Sequence, residues 1–102
     1  MKKSIKLTGK QARHLRGLGH SLKPILQLGK TGITEGFIKQ VNTGLEAHEL
    51  IKIKLLKSSP ISKDVAGLEI SEKTGASLAQ SIGKTLIFYR EKKEDPKIIL
   101  PK

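Results

Sequence analysis

Residues 50 to 55 read Leu-Ile-Lys-Ile-Lys-Leu, so that Ile51, Ile53 and Leu55 alternate with Lys52 and Lys54. A period of two marks a strand with one apolar and one polar face. Such a strand cannot stand alone. Its backbone groups need neighbouring strands, and its apolar face needs a second layer to cover it.

The flanking sequence supplies both. Thr34 is a good N-cap, Glu35 follows in the first turn, and Phe37, Ile38, Val41 and Leu45 recur at helical spacing. Gly44 inside this helix costs about 1 kcal/mol relative to alanine. It therefore implies either fraying near Ala47 and His48 or a close packing contact. Upstream, Thr8 caps a helix expected to reach about Leu18, with Ala12, Leu15 and Leu18 as its apolar edge and an end between Gly17 and Gly19. Pro24 pushes its predecessor out of the helical region, so His20 to Pro24 reads as a connector and Ile25 to Leu28 as a short strand.

Downstream, Ser58-Ser59-Pro60 breaks the Leu50–Leu55 strand. Ser62 to Thr74 is predicted as a third helix closed by Gly75, with Val65, Ala66, Leu68 and Ile70 as candidates for burial. Leu78 to Ile82, a Gly83-Lys84 turn and Thr85 to Arg90 form the closing pair of strands. Glu91 to Asp95 is charged and expected in solvent, and the apolar piece Lys97 to Leu100 either docks on the sheet edge or stays mobile. Alternating helices and strands argue a compact α/β two-layer sandwich, with a small four-stranded mixed sheet and about three helices. At 102 residues one domain is expected over 1–102, with a basic strip at 1–6 and a tail at 91–102.

Charge narrows the function. Twenty Lys and Arg against nine Asp and Glu give a net charge of +11, which implies a polyanionic partner. The absence of cysteine removes disulfides, thiolate metal sites and thiol nucleophiles. No apolar run approaches the roughly 20 residues a bilayer demands, and Met1-Lys2-Lys3 is not followed by the apolar core of a signal peptide, so no membrane partner is expected and a cytoplasmic location is the default.

Two Gly-Lys-Thr triplets, at 29–31 and 83–85, invite comparison with a nucleotide phosphate loop. Such a loop needs a glycine five positions before its Gly-Lys-Thr. The corresponding residues are Pro24 and Leu78, and the comparison fails. What remains is Gly29-Lys30-Thr31-Gly32, a Gly-x-x-Gly loop between a strand and a helix N-terminus. Its glycines let a backbone approach closely, amides near Thr34 can face an anion, and Lys30 adds charge, although the same pattern also serves as a plain turn. Lys10, Arg13, Arg16, His20 and Lys23 come from the first helix and its exit, and together with Lys30 they make a clustered basic face plausible.

Aromatic residues are few. Phe37 lies on a helix face expected to be buried, Phe88 and Tyr89 point to opposite faces of a strand, and there is no tryptophan. That is no stacking platform for single-stranded bases, so contacts should go mainly to phosphate and ribose, with strong salt dependence. His14, His20 and His48 are too dispersed for a local metal motif. Glu46, His48 and Glu49 fall together, and a helix end whose polar groups satisfy one another or the backbone accounts for them better than acid–base chemistry. No catalytic residue, metal or cofactor is expected.

The runs LRGLGHSLKPILQLGKTGITEGFIKQVNTGLEAHELIKIKL and TGASLAQSIGKTLIFYR resemble the CRM domain (chloroplast RNA splicing and ribosome maturation), and in length and order its stand-alone bacterial YhbY form. The resemblance covers Leu7 to about Leu100. It implies a fold similar to the C-terminal domain of translation initiation factor three and an RNA-binding role on precursors of the large ribosomal subunit, without enzymatic activity. It implicates Gly29, Lys30, Thr31 and Gly32 in RNA contact, while Lys10, Arg13, Arg16 and Lys23 are added from charge and proximity. The alternative is a basic interaction protein that meets an acidic protein or anionic surface without RNA.

Overall fold

The computed structural model describes residues 6–101. The basic strip at 1–6 lies outside them except for Lys6. The elements run in the order α1 (Gly9–His20), β1 (Leu26–Leu28), α2 (Glu35–His48), β2 (Leu50–Leu55), α3 (Lys63–Thr74), β3 (Ser77–Ile82) and β4 (Thr85–Tyr89).

The sheet has the strand order β1-β2-β4-β3. β1 runs parallel to β2, while β4 is antiparallel to both β2 and β3. α2 thus connects two parallel neighbours, and α3 connects β2 to a strand two positions away, leaving a gap that β4 fills. Each helix begins where its local chemistry allows. Thr34 accepts the Phe37 N–H, Ser62 accepts the Val65 N–H, and Thr8 forms a reciprocal capping box with Gln11. Gly75, at φ 75°, closes α3 in the left-handed conformation expected of a terminal glycine.

Side-chain alternation splits the core in two. Ile51, Ile53 and Leu55 of β2 join Leu86 and Phe88 of β4 beneath Val41, Leu45, Ala66 and Ile70 of α2 and α3. On the other face Leu50, Ile87, Tyr89 and Ala79 surround Leu15 of α1. Each fully buried aliphatic or aromatic side chain of this kind contributes about 1.5–3 kcal/mol relative to exposure. The two-layer expectation describes the α2/α3 side; α1 adds cover to part of the opposite face. Ala79 is the extra residue of a bulge, since Leu78 pairs with Phe88 and Gln80 with Ile87.

Several expectations need correction. Val65 and Leu68 are 50% and 64% exposed, because α3 buries Ala66, Gly67, Ile70 and Thr74 instead. Small residues let that helix sit close to the sheet. A Cβ on Gly67 would lie 3.1 Å from Leu78 Cδ2. Likewise Leu18 is 41% exposed, and α1 runs through Gly17 and Gly19 to His20. Gly19 is itself a contact residue, since a Cβ there would meet Ile87 Cδ1 at 2.7 Å. β1 begins at Leu26, although the Ile25 N–H already donates to Lys52 O at 3.0 Å.

Of the two readings of Gly44, close packing holds: an added Cβ would approach Ile25 Cδ1 to 2.8 Å. The C-terminal piece docks, on the second core cluster. Leu7, Ile98 and Leu100 pack against that cluster, and Gln11 Nε2 donates to Pro101 O at 3.1 Å.

Candidate nucleic-acid interface

Gly29-Lys30-Thr31-Gly32 leaves the C-terminal end of β1 as a tight turn closed by Gly32 N–H donating to Gly29 O at 3.0 Å. Gly32 has φ 69°, a conformation that disfavours any side chain. Both glycines pack against the β2–α3 connection. A Cβ on Gly29 would lie 3.4 Å from Leu56 Cδ1 and 3.6 Å from Ser58 Oγ, and one on Gly32 would lie 3.3 Å from Pro60 Cγ. The two connections are also tied by the Leu56 N–H, which donates to Leu28 O at 2.9 Å. Gly32 is buried, whereas Lys30 and Thr31 are exposed at the tip.

The third connection emerges beside them. In the β2–β4 register Lys54 faces Thr85, and the Leu55 N–H donates to Lys84 O at 2.6 Å. The Gly83-Lys84 turn therefore stands at the same end of the sheet as the glycine loop. Lys84, read from sequence as part of a turn, and Lys57, which the sequence reading did not single out, join Lys30 there. Lys54 and Gln27, in register on β2 and β1, carry polar side chains to the same end on the α1 face.

The α1 cations are placed differently. Lys10, Arg13 and Arg16 are exposed, but α1 packs on β2, β3 and β4 across the face opposite α2 and α3. They stand in a different layer from the helix that the glycine loop opens. Lys23 lies in the α1–β1 connector, on a groove of about 450 Å³ whose lining includes Leu18, Leu22, Ile25, Leu50 and Ile98. Lys52 reaches back to this connector, its Nζ donating to Leu22 O at 3.1 Å.

The helix end singled out by Glu46, His48 and Glu49 is built for structure. Glu49 is 1% exposed and its carboxylate accepts the backbone N–H groups of Lys92, Lys97 and Ile98. Burial opposes its ionisation, but those three N–H groups and the Lys92 charge outweigh that and hold the carboxyl below its ordinary value of 4.5. Burial, with Glu49 and Glu91 nearby, pushes the Tyr89 hydroxyl above its usual range. Glu46 accepts from Arg90, whose guanidinium also donates to Asn42 Oδ1, Asn42 O and Thr74 O. Arg90 thus serves the last turns of α2 and α3. Among the described residues no three His, Asp or Glu side chains gather as a metal site, and no helix is long and apolar enough to cross a membrane.

A small mixed sheet carrying a packed glycine turn and lysine-bearing connections at one end defines a class of basic α/β domain. The chain belongs to the CRS1/YhbY (CRM) domain family, whose family model matches residues 7–90. It is 42% identical over 95 residues to "Probable RNA-binding protein YqeI" of Bacillus subtilis, covering 93% of this chain and 99% of that one. It is 38% identical to an "RNA-binding protein" of Haemophilus influenzae, covering 94% and 96%. Similarity extends to a chloroplastic CRS2-associated factor 1 of rice at 33% identity, there covering 81% of this chain but 11% of the plant protein. The solution structure of a Staphylococcus aureus protein described as a candidate RNA binder superposes with a TM-score of 0.79 at 46% identity, covering 94% of this chain and all of that one. The Bacillus subtilis, Haemophilus influenzae and Staphylococcus aureus relatives are named for RNA binding.

Proposed function

We propose that this protein is a non-enzymatic, cytoplasmic RNA-binding protein that docks on ribosomal RNA of the precursor large subunit during its assembly. The observation that carries the reading is the glycine turn itself. It packs against the neighbouring connection, with Lys30 and Thr31 presented outward. A chain of net charge +11 and relatives named as RNA-binding proteins support the polyanion as RNA. With three aromatic side chains, all of them buried, binding draws on phosphate and ribose contacts. Lys10, Arg13 and Arg16 contribute long-range attraction from the other layer, and Lys23 from the connector between α1 and β1.

The experiment is sedimentation of cell extract at low and moderate salt, with and without RNase, following the protein across ribosomal fractions. Salt-sensitive migration with the large-subunit precursor that RNase abolishes supports the reading. Lys30→Glu should weaken that association while leaving the fold intact, because Lys30 is exposed. Absence of the protein from every RNA fraction overturns it. A second reading, an acidic protein partner, is favoured by the half-exposed Leu18, Leu22 and Ile25 around the groove beside Lys23; it predicts an association that survives RNase.

A further inference from the structure

We propose that the three connections at the C-terminal end of β1 and β2 act as one phosphate-binding surface, in which Lys57 and Lys84 make contacts equivalent to that of Lys30. The proposal rests on the RNA-binding reading above and extends it to residues outside the glycine turn.

The glycines of the turn are already used for packing. Gly29 and Gly32 face Leu56, Ser58 and Pro60, and Gly32 is buried, so their missing side chains serve the packing of one connection on the next. The ligand-facing chemistry of the turn is left to Lys30 and Thr31. The helix ends beside it are already partly compensated. The Phe37 and Val65 N–H groups are taken by Thr34 and Ser62, and Glu35 and Asp64 occupy the first turns of α2 and α3. Attraction for an anion at this end therefore falls chiefly to the lysines.

Lys30 follows β1, Lys57 follows β2 and Lys84 precedes β4, and these are three successive strands of the sheet. Strand neighbours lie about 4.8 Å apart, so the three backbone positions spread over roughly 10 Å or more before the side chains extend. That separation suits successive phosphates of a strand better than a single anion. Lys84 is fixed in this row by the Leu55 N–H to Lys84 O bond, and Lys57 by the packing of its connection on the glycine turn. All three side chains are exposed, and among the described residues none enters an ion pair. The second Gly-Lys-Thr triplet thereby acquires a role that it could not have as a nucleotide loop.

The test is equilibrium binding of the full chain to a labelled transcript of large-subunit ribosomal RNA over a range of salt. It compares Lys30→Ala, Lys57→Ala, Lys84→Ala and the triple variant, with Lys73→Ala as a control at the far end of α3. Each phosphate contact contributes about 0.7–0.9 to the slope of log affinity against log salt. Each single variant should therefore lose about five-fold in affinity near physiological salt, and the triple variant should lose about 2 in slope, with Lys73→Ala changing less than two-fold. Thermal melts of the same variants should superpose on wild type, since exposed substitutions of this kind shift stability by about 0.5 kcal/mol or less. If Lys30→Ala weakens binding while Lys57→Ala and Lys84→Ala do not, the three-connection surface is wrong and the RNA reading stands. If Lys73→Ala weakens binding as much as the others, binding is diffuse and the surface is again wrong. If the wild-type chain does not bind the transcript, the RNA reading itself fails.

Discussion

The Glu49 carboxylate accepts the backbone N–H of Ile98 at 3.0 Å, joining the end of α2 to a segment 49 residues further along the chain. Glu49 sits at φ 64°, an uncommon conformation for a residue with a side chain, and its own N–H donates to Leu45 O at 2.8 Å. The strained helix end and the buried acid are one device, which turns the carboxylate toward the C-terminal segment and seats Ile98 and Leu100 on the second core cluster.

Replacing Glu49 with alanine should therefore release residues 92–101 and lower stability by about 1–3 kcal/mol, because three backbone N–H groups lose their acceptor. Amide hydrogen exchange at Lys97 and Ile98 reads the release directly. Unchanged protection of these two amides in Glu49→Ala would show that the apolar contacts alone hold the segment.

The same contact gives a pH dependence. The folded carboxyl titrates below the ordinary 4.5, so its contribution is complete above that value and is lost as pH falls through the folded pKa. Melting curves of wild type and Glu49→Gln between pH 6 and 3 should converge on acidification. A gap that stays constant over that range would assign the effect to packing.

Arg90→Ala should cost about 2–4 kcal/mol in denaturant unfolding, since it strips Asn42 Oδ1 and Thr74 O of a charged donor at 2.7 and 2.6 Å. Arg90→Lys should recover little, because one ammonium cannot reproduce the planar fork that serves α2 and α3 together. Full recovery by lysine would mean that charge alone matters there.

Two helical glycines should respond differently to alanine. At Gly19 the new methyl meets Ile87, which is 1% exposed and cannot yield, so a loss of about 1–3 kcal/mol is expected despite better helix propensity. At Gly44 it meets the end of Ile25, which is 46% exposed and can rotate away. There the gain of about 1 kcal/mol in propensity offsets the contact, and the change should be close to zero. Equal destabilisation of the two variants in urea unfolding would contradict this account.

The glycine turn separates in the same way. Gly32→Ala should lose about 1–2 kcal/mol from its positive φ, whereas Gly29→Ala meets Leu56 at an ordinary 3.4 Å and should keep the fold. Gly29→Ala is thus the variant that asks of RNA binding whether the backbone itself must be approached. Comparable melting temperatures for the two variants would show that the turn relaxes.

The sequence by itself determined the elements. Alternation in Leu50–Leu55, the caps Thr8, Thr34 and Ser62, and Gly75 act within a few residues, and local rules govern them. The Gly-x-x-Gly turn was legible for the same reason. Which face of α3 is buried was not, because Ala66 and Gly67 are chosen by closeness to the sheet, and Val65 and Leu68 satisfy helical periodicity equally well. Nor could periodicity show that Glu49 holds Ile98 or that Arg90 joins two helix ends. Above all, the strand order β1-β2-β4-β3 is a matter of pairing between distant segments. That order sets the connections bearing Lys30, Lys57 and Lys84 side by side, and the packing of α1 on the opposite face leaves Lys10, Arg13 and Arg16 in the other layer, since charge counted along a chain carries no record of which strands become neighbours.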